Sequence, residues 1–231
     1  MELKPNPGKS LTIDVNGKVW ARYPVKTHVI KPGEDIVEVV ARYVRPHLKE
    51  GDIVFVSEKI VAISQGRAYP IDEIKPSFWA RLLSHFVTKS PYGIGLGSPW
   101  TMELAIREAG LPRILFAAFV SAITKPFGIR GMFYRVAGRN VSAIDGPTPY
   151  TLPPYNRYAK LPPKDPEEVA RRISREIGVP VVIVDANDLG VEALGISHPE
   201  ISHDFVKAVF RDNPLGQASQ QTPLCIVRPV G

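Results

Sequence analysis

Between Glu34 and Lys49, apolar residues recur at Ile36, Val39, Val40, Tyr43 and Val44. That spacing lines one face of a helix, and Pro46 predicts its end or a kink. Upstream, Val19 to Val29 reads as an extended segment closing in the polar turn Lys31-Pro32-Gly33. Downstream, Gly51-Asp52 forms a turn and Ile53 to Val56 the short apolar run of a buried strand. The stretch Ile60 to Ile63 fits helix and strand equally by period alone.

The middle of the chain predicts further helices. Pro76 to Lys89 carries Phe78, Trp79, Leu82, Leu83 and Phe86 on one side. Ser98 is placed as an N-cap before Pro99 at the first helical position, with Gly110 as the stop. Ile114 to Ile123 is apolar all round and predicts a buried helix. Met132 to Val136 and Asn140 to Ile144 read as strands split by the turn Gly138-Arg139.

The stretch Gly146 to Pro163 holds six prolines and fits a domain linker or an ordered surface loop. Asp165, Pro166 and Glu168 then spell a capping box, with Gly178 ending the helix. Val179 to Val184 predicts a buried strand running into Asp185. His203 to Phe210 predicts a last helix and Pro223 to Val227 a last strand. Strands and helices alternate without a repeat period, so the class is mixed α/β or α+β. The chain reads as one domain over residues 1–231, and Gly146 to Pro163 is where two lobes would divide.

Composition narrows the partners. The 231 residues carry 29 Lys and Arg against 23 Asp and Glu, a formal charge of +6 that favours anionic ligands. No basic stripe interleaved with aromatics points to nucleic acid. Arg171, Arg172 and Arg175 read as the solvated face of a helix. A single cysteine, Cys225, excludes an internal disulfide framework and a thiolate zinc cluster, and predicts a reducing, cytoplasmic setting. The longest apolar run is far short of the roughly 20 residues of a membrane span, so no membrane partner is expected.

Few residues offer chemistry. Asp145 and Asp185 each follow an apolar run that reads as a strand, and strand ends are where open α/β sheets gather their ligands. Paired carboxylates there suit a hard cation such as Mg²⁺ or Mn²⁺; taken singly, each reads first as ordinary turn chemistry. The glycine segment Gly93 to Gly97 matches no phosphate-loop fingerprint and lacks the Lys-Ser/Thr that would follow one. His198, His203 and Asp204 make only a loose set, and neither HExxH nor GxSxG occurs.

Taken together, four segments resemble the coenzyme F-420-0:γ-glutamyl ligase family. They are PVKTHVIKPGEDI at 24–36, GDIVFVSEKIVAISQGR at 51–67, VSAIDG at 141–146, and VVIVDAN at 181–187 with LGQASQQTPLCIVRP at 215–229. The resemblance implies that family's mixed α/β fold as an intertwined homodimer. It implies GTP-dependent formation of a γ-glutamyl amide through an acyl phosphate, acting on a deazaflavin-type acceptor and glutamate. Mg or Mn would be the cofactor, GTP the co-substrate, and a monovalent cation a further candidate ion. By position, Asp145, Asp185 and Gln217 would be metal ligands. His28, Val29, Ile30, Ser57, Glu58 and Thr148 would line the nucleotide, the apolar pair through backbone.

The sequence departs from that pattern at several places. Ala186 stands where the family has a metal-contacting Thr, and Ile63 where it has Lys. Glu58 replaces its second hallmark serine, and Asp188-Leu189 its Gly-Arg. Lys26 or Lys59 is positioned to restore a positive charge. An amide ligase with another acceptor, or a non-catalytic nucleotide- or anion-binding module, are the alternative readings.

Overall fold

The computed structural model describes residues 3–87, 95–149, 151–187, 190–216 and 219–230. The chain divides into two compact units, Met1–Gly66 with Pro163–Gly231, and Arg67–Pro162.

The first unit is built on a six-stranded sheet. Its chain-ordered elements are β1 (Thr12–Val15), β2 (Lys18–Val25), α1 (Ile36–Val44), β3 (Ile53–Ser57), α2 (Glu58–Ser64), then α8 (Pro166–Ile177), β6 (Val181–Asn187), β7 (Gly190–Ile196), α9 (His203–Phe210) and β8 (Leu224–Pro229). The strand order is β1-β2-β8-β3-β6-β7. Only β3 and β6 run parallel; the other pairs are antiparallel.

One face of this sheet is a core of Ile53, Phe55, Val182, Val184, Cys225 and Val227, closed by Val206, Val209 and Phe210 of α9. Alternation along each strand turns Val54, Val56, Val181 and Ile183 to the other face, where α2 and α8 pack on the sheet and α1 packs on α8. The helix predicted from the Ile36 periodicity therefore exists. Asp35 caps its start, accepting from the Val37 N–H at 2.8 Å, and a 3₁₀ turn over Arg45–His47 follows it at Pro46. The ambiguous Ile60 stretch is helix α2.

Two details depart from the pattern. Asp165 lies in left-handed backbone (φ 46°) and its side chain caps nothing. Glu168 instead pairs with Arg175 at 2.8 Å, on the same exposed face as Arg171. The strand β7, which carries little apolar alternation, was not foreshadowed by pattern. It is held against α8 by Gly195, where a Cβ would stand 2.3 Å from the Pro166 carbonyl oxygen.

Buried ions brace the same unit. Asp52 has no exposed side-chain surface and takes Nε and Nη2 of Arg228 at 2.7 Å each. That bond raises the Arg228 pKa further above its ordinary value. Arg22, almost wholly buried, pairs with Asp212 and also donates to the Ser10 and Val209 carbonyls.

The second unit is mainly helical. It contains β4 (Ala68–Pro70), α3 (Phe78–Ser84), α4 (Pro99–Ala109), α5 (Leu111–Thr124), α6 (Met132–Ala137), α7 (Arg139–Ser142) and β5 (Tyr158–Lys160), with β4 and β5 paired antiparallel. Leu96, Met102, Leu104, Ala105, Ile114, Ala117 and Val141 form its core. The Ser98 cap, Pro99 start and Gly110 stop of α4 are as predicted, with Ser98 Oγ accepting from the Thr101 N–H at 3.2 Å.

Three expectations for this unit are corrected. The stretches read as strands at Met132 to Val136 and Asn140 to Ile144 are helical, α6 and α7, bounded by Gly131 and Gly138 at positive φ. Runs this short do not distinguish the two periods. Helix α5 is not buried all round: Ile114 and Ala117 face the core while Phe116, Phe119 and Ile123 are exposed. In α3 it is Ala80 and Ser84 that are buried, while Phe78, Trp79 and Leu82, and Phe86 in the turn after the helix, are exposed. Residues 88–94, including the predicted end of that helix and the first two of the glycine segment, lie outside the described residues.

The proline-rich stretch carries a 3₁₀ turn (Tyr155–Arg157) and β5, so part of it is regular structure.

Candidate functional site

In the first unit, strand register draws separate segments to one edge of the sheet. Ser57 at the end of β3 is the parallel partner of Val184, the residue before Asp185. Val25 at the end of β2 pairs with Leu224 at the start of β8, and the Ser57 N–H donates to the Pro223 carbonyl at 2.8 Å. Residues 26–30, 57–58, 185–187 and the loop leading into β8 therefore meet at the same edge.

The 26–30 segment is fixed by hydrogen bonds. Thr27 is buried; its N–H donates to the Gln221 carbonyl at 3.2 Å, and the Gln221 amide returns a bond to the Thr27 carbonyl at 2.7 Å. His28 lies between Glu34 Oε2, 2.6 Å from Nε2, and Tyr43 Oη, 2.9 Å from Nδ1. The His28 N–H also donates to Tyr43 Oη at 3.1 Å. The imidazole is thus engaged at both nitrogens within this segment. Partial desolvation of Glu34 opposes its ionisation, but the His28 bond and the Lys31 N–H outweigh it and hold the carboxyl below the usual range. Val29 is half-buried and Ile30 buried.

Ser57 caps α2, its Oγ accepting from the Lys59 N–H at 3.4 Å. Glu58 opens that helix as a buried residue. Ile63, at the position where the resemblance expects lysine, is buried too and contributes apolar surface. Asp185 is half-buried inside β6 rather than beyond it, and the Asn187 amide donates to its Oδ1 at 3.4 Å. Its cross-strand partner is Glu192 on β7. Ala186 packs against the α9 core, so its side chain leaves the strand on the face opposite to Asp185.

The loop into β8 is tied down from several sides. Asn6 donates to the Pro214 carbonyl and to Thr222 Oγ1, both at 2.8 Å. Thr222 in turn donates to the Leu215 carbonyl at 2.8 Å. Asn6 and Thr222 had no motif to mark them, because they act through loop backbone distant in sequence. Gln217, and likewise Asp188 and Leu189, lie outside the described residues.

The other two predicted residues belong to the second unit. Asp145 is exposed and follows helix α7, not a strand; its backbone makes an isolated bridge with Lys160 (N···O 3.0 and 2.8 Å). The reading of Asp145 as a strand-end carboxylate is therefore corrected. Thr148 sits in a turn, accepting from the Thr151 N–H at 3.1 Å. Arg67, the arginine of the Gly-Arg close, is buried beside Glu108 at 2.9 Å, and Asn140 shares the same carboxylate oxygen at 2.8 Å. A structural role accounts for it.

Among the described residues, no three His, Cys, Asp or Glu side chains gather as a metal cluster. His198 bonds to Ser197 Oγ at 2.8 Å through Nδ1, and His203 opens α9. Cys225 is fully buried, and desolvation pushes its thiol far above the ordinary range, so it offers no nucleophile.

The sequence model described as F420-0:Gamma-glutamyl ligase matches residues 24–194, most of the chain. The chain belongs to that family. An uncharacterised protein of Methanocaldococcus jannaschii is 28% identical over 174 residues, covering 71% of this chain. A coenzyme F420:L-glutamate ligase of Methanopyrus kandleri is 26% identical over 166 residues, covering 70% of this chain. Each match spans 56% of the relative, so the chain covers about half the length of these curated relatives. The family match begins at Pro24 and includes both Asp145 and Asp185, while the loop into β8 follows its end.

Proposed function

We propose that the chain is a nucleotide-dependent carboxylate–amine ligase of the γ-glutamyl type, with GTP as co-substrate and an anionic deazaflavin-type acceptor. The observation that carries this reading is the paired register Ser57↔Val184 and Val25↔Leu224. It brings together the first-unit part of what the resemblance assigns to nucleotide and metal, residues 28–30, 57–58 and Asp185.

A carboxylate is a poor acyl donor because its carbonyl already carries charge. In the proposed reaction a carboxylate oxygen of the acceptor attacks the γ-phosphorus, and the bond to the departing GDP breaks. The glutamate amine then attacks the acyl carbon, forming the C–N bond as phosphate leaves and the ammonium proton passes to solvent.

In this reading the backbone of His28, Val29 and Ile30 lines the nucleotide. The imidazole is committed to Glu34 and Tyr43, which hold the segment in shape. Ser57 and Thr148 contribute hydroxyls. Glu58, being buried, acts by packing at the helix start. Asp145, Asp185 and Gln217 would hold Mg²⁺ or Mn²⁺; their oxygen donors suit a hard divalent cation. Such a cation supplies neutralisation of the triphosphate. A homodimer working in the cytoplasm belongs to the same proposal.

Calorimetric titration with GTP or ATP, with and without Mn²⁺, tests the nucleotide claim, and phosphate release with glutamate tests turnover. Metal-independent or absent nucleotide binding would refute it. A second reading, an amide ligase with a different acceptor, is favoured by the burial of Ile63 and by Ala186 facing away from Asp185. Turnover with glutamate but not with a deazaflavin acid would select it. Nucleotide binding without phosphate release for any carboxylate–amine pair would select a non-catalytic module.

A further inference from the structure

Between Glu108 and Asp145 the chain has no carboxylate, yet it carries Arg113, Lys125, Arg130, Arg135 and Arg139. Two of these arginines meet in the second unit. A cleft of about 180 Å³ lies between the end of α4 and the turn joining α6 to α7, lined by Glu108, Arg113, Ala137, Gly138, Arg139 and Asn140. Arg113 is held in place there. Its Nε donates to the Val136 carbonyl at 2.9 Å. Its guanidinium lies against Gly138, where a Cβ would stand 3.1 Å from Nη2 and 3.6 Å from Cζ. Gly138, at φ 104°, admits that approach because it has no side chain. The Nε bond uses one of five guanidinium N–H groups and leaves the Nη1 and Nη2 fork for another acceptor. The carboxylate in the cleft is already answered: Oε1 of Glu108 accepts from Arg67 Nη2 at 2.9 Å and from Asn140 Nδ2 at 2.8 Å. Arg67, Arg113 and Arg139 outnumber Glu108 by two charges, and the Asn140 amide has a second hydrogen to give.

We propose that this cleft binds a phosphate group, with Arg113 and Arg139 as its cations and Asn140 as a further donor. Two guanidinium groups match a doubly charged oxyanion in both charge and fork geometry. Size limits the ligand. Pockets for drug-sized molecules run to roughly 300–1,000 Å³, so this cleft takes a single phosphoryl group and not a whole nucleotide. The Val136 bond and the seat on Gly138 fix Arg113 beforehand, so little freedom is lost on binding. The site does not rest on the ligase reading, since none of the cleft residues is among those proposed for nucleotide or metal.

Calorimetric titration of the full chain with inorganic phosphate, at constant ionic strength, tests the proposal. Saturable binding without Mn²⁺ is expected. It should persist in Asp185→Asn, which separates this cleft from the proposed metal site. Arg139→Gln and Arg113→Gln should each weaken it by about tenfold or more, with unchanged circular dichroism spectra. Arg113→Lys keeps the charge and loses the fork, so it should recover only part of the affinity. Should Arg113→Gln disturb the fold, Arg139→Gln decides alone. Glycerol phosphate separates the sources of the group: affinity equal to or above that of inorganic phosphate assigns the cleft to a phosphoryl ester, and lower affinity assigns it to free phosphate. The proposal is overturned if the parent shows no saturable binding, if binding requires Mn²⁺ or Asp185, or if a folded glutamine variant binds as the parent does.

Discussion

Nε2 of His28 stands 2.6 Å from Oε2 of Glu34. Tyr43 Oη accepts the His28 N–H at 3.1 Å and stands 2.9 Å from Nδ1, so both ring nitrogens and the backbone of His28 are engaged. A histidine that looks like a ligand in sequence is here a bracket for its own backbone.

Tyr43→Phe removes both bonds to His28. It should lower stability by about 1–2 kcal/mol, read by urea unfolding. If residues 28–30 line the nucleotide through backbone, the same variant should weaken GTP binding more than its stability loss explains. Unchanged binding affinity would detach this bracket from the site.

Asp212 gives a pH dependence. Its partial desolvation favours the neutral acid, but the Arg22 guanidinium, with Lys9 in support, outweighs it and holds the carboxyl below the usual range. The folded protein therefore binds this proton only at lower pH than the unfolded chain does. The stabilisation is complete above about pH 4, the ordinary aspartate value, and is lost as pH falls through the folded value. Asp212→Asn should flatten that part of the acid limb in urea titrations, the two curves converging in stronger acid. Parallel curves would show that the pair contributes nothing pH-dependent.

Gly195 should not tolerate a side chain. A Cβ there would lie 2.3 Å from the Pro166 carbonyl oxygen and 2.5 Å from the Glu167 nitrogen, both backbone atoms that cannot rotate away. Gly195→Ala should cost about 1–3 kcal/mol and lower the thermal midpoint, whereas Gly190→Ala, with open space around it, should cost far less.

Much of the first unit was legible because its signals are local and agree with each other. The Ile36–Val44 face and the Ile53 and Val181 strands each combine period with a cap or a breaker, as does the Pro99 to Gly110 helix of the second unit. The second unit was read less well, for physical reasons. Met132 to Val136 is too short to separate the two periods. The apolar faces of α3 and α5 turn outward, so hydrophobicity there does not report burial. Of the candidate site, the residues came from motif resemblance, and the convergence of residues 26–30, 57–58 and 185–187 came from register. Pairing of β3 with both β6 and β8 links positions more than a hundred residues apart, which no local pattern encodes. The bracket of Glu34 and Tyr43 around His28 is local in sequence, but only the fold shows which nitrogen meets which oxygen.

Among the described residues, Asp185 is the one proposed metal ligand that lies beside the proposed nucleotide segments in the first unit's sheet. Calorimetric titration of GTP in the presence of Mn²⁺, comparing the parent chain with Asp185→Asn, tests that role directly. Asparagine keeps the size of the side chain and removes the charge, so the fold should persist by circular dichroism. Metal-dependent nucleotide affinity should fall at least about tenfold, a loss of roughly 1.4 kcal/mol. Equal Mn²⁺-dependent affinity in the two proteins would contradict the assignment of Asp185 to the metal and with it the proposed site.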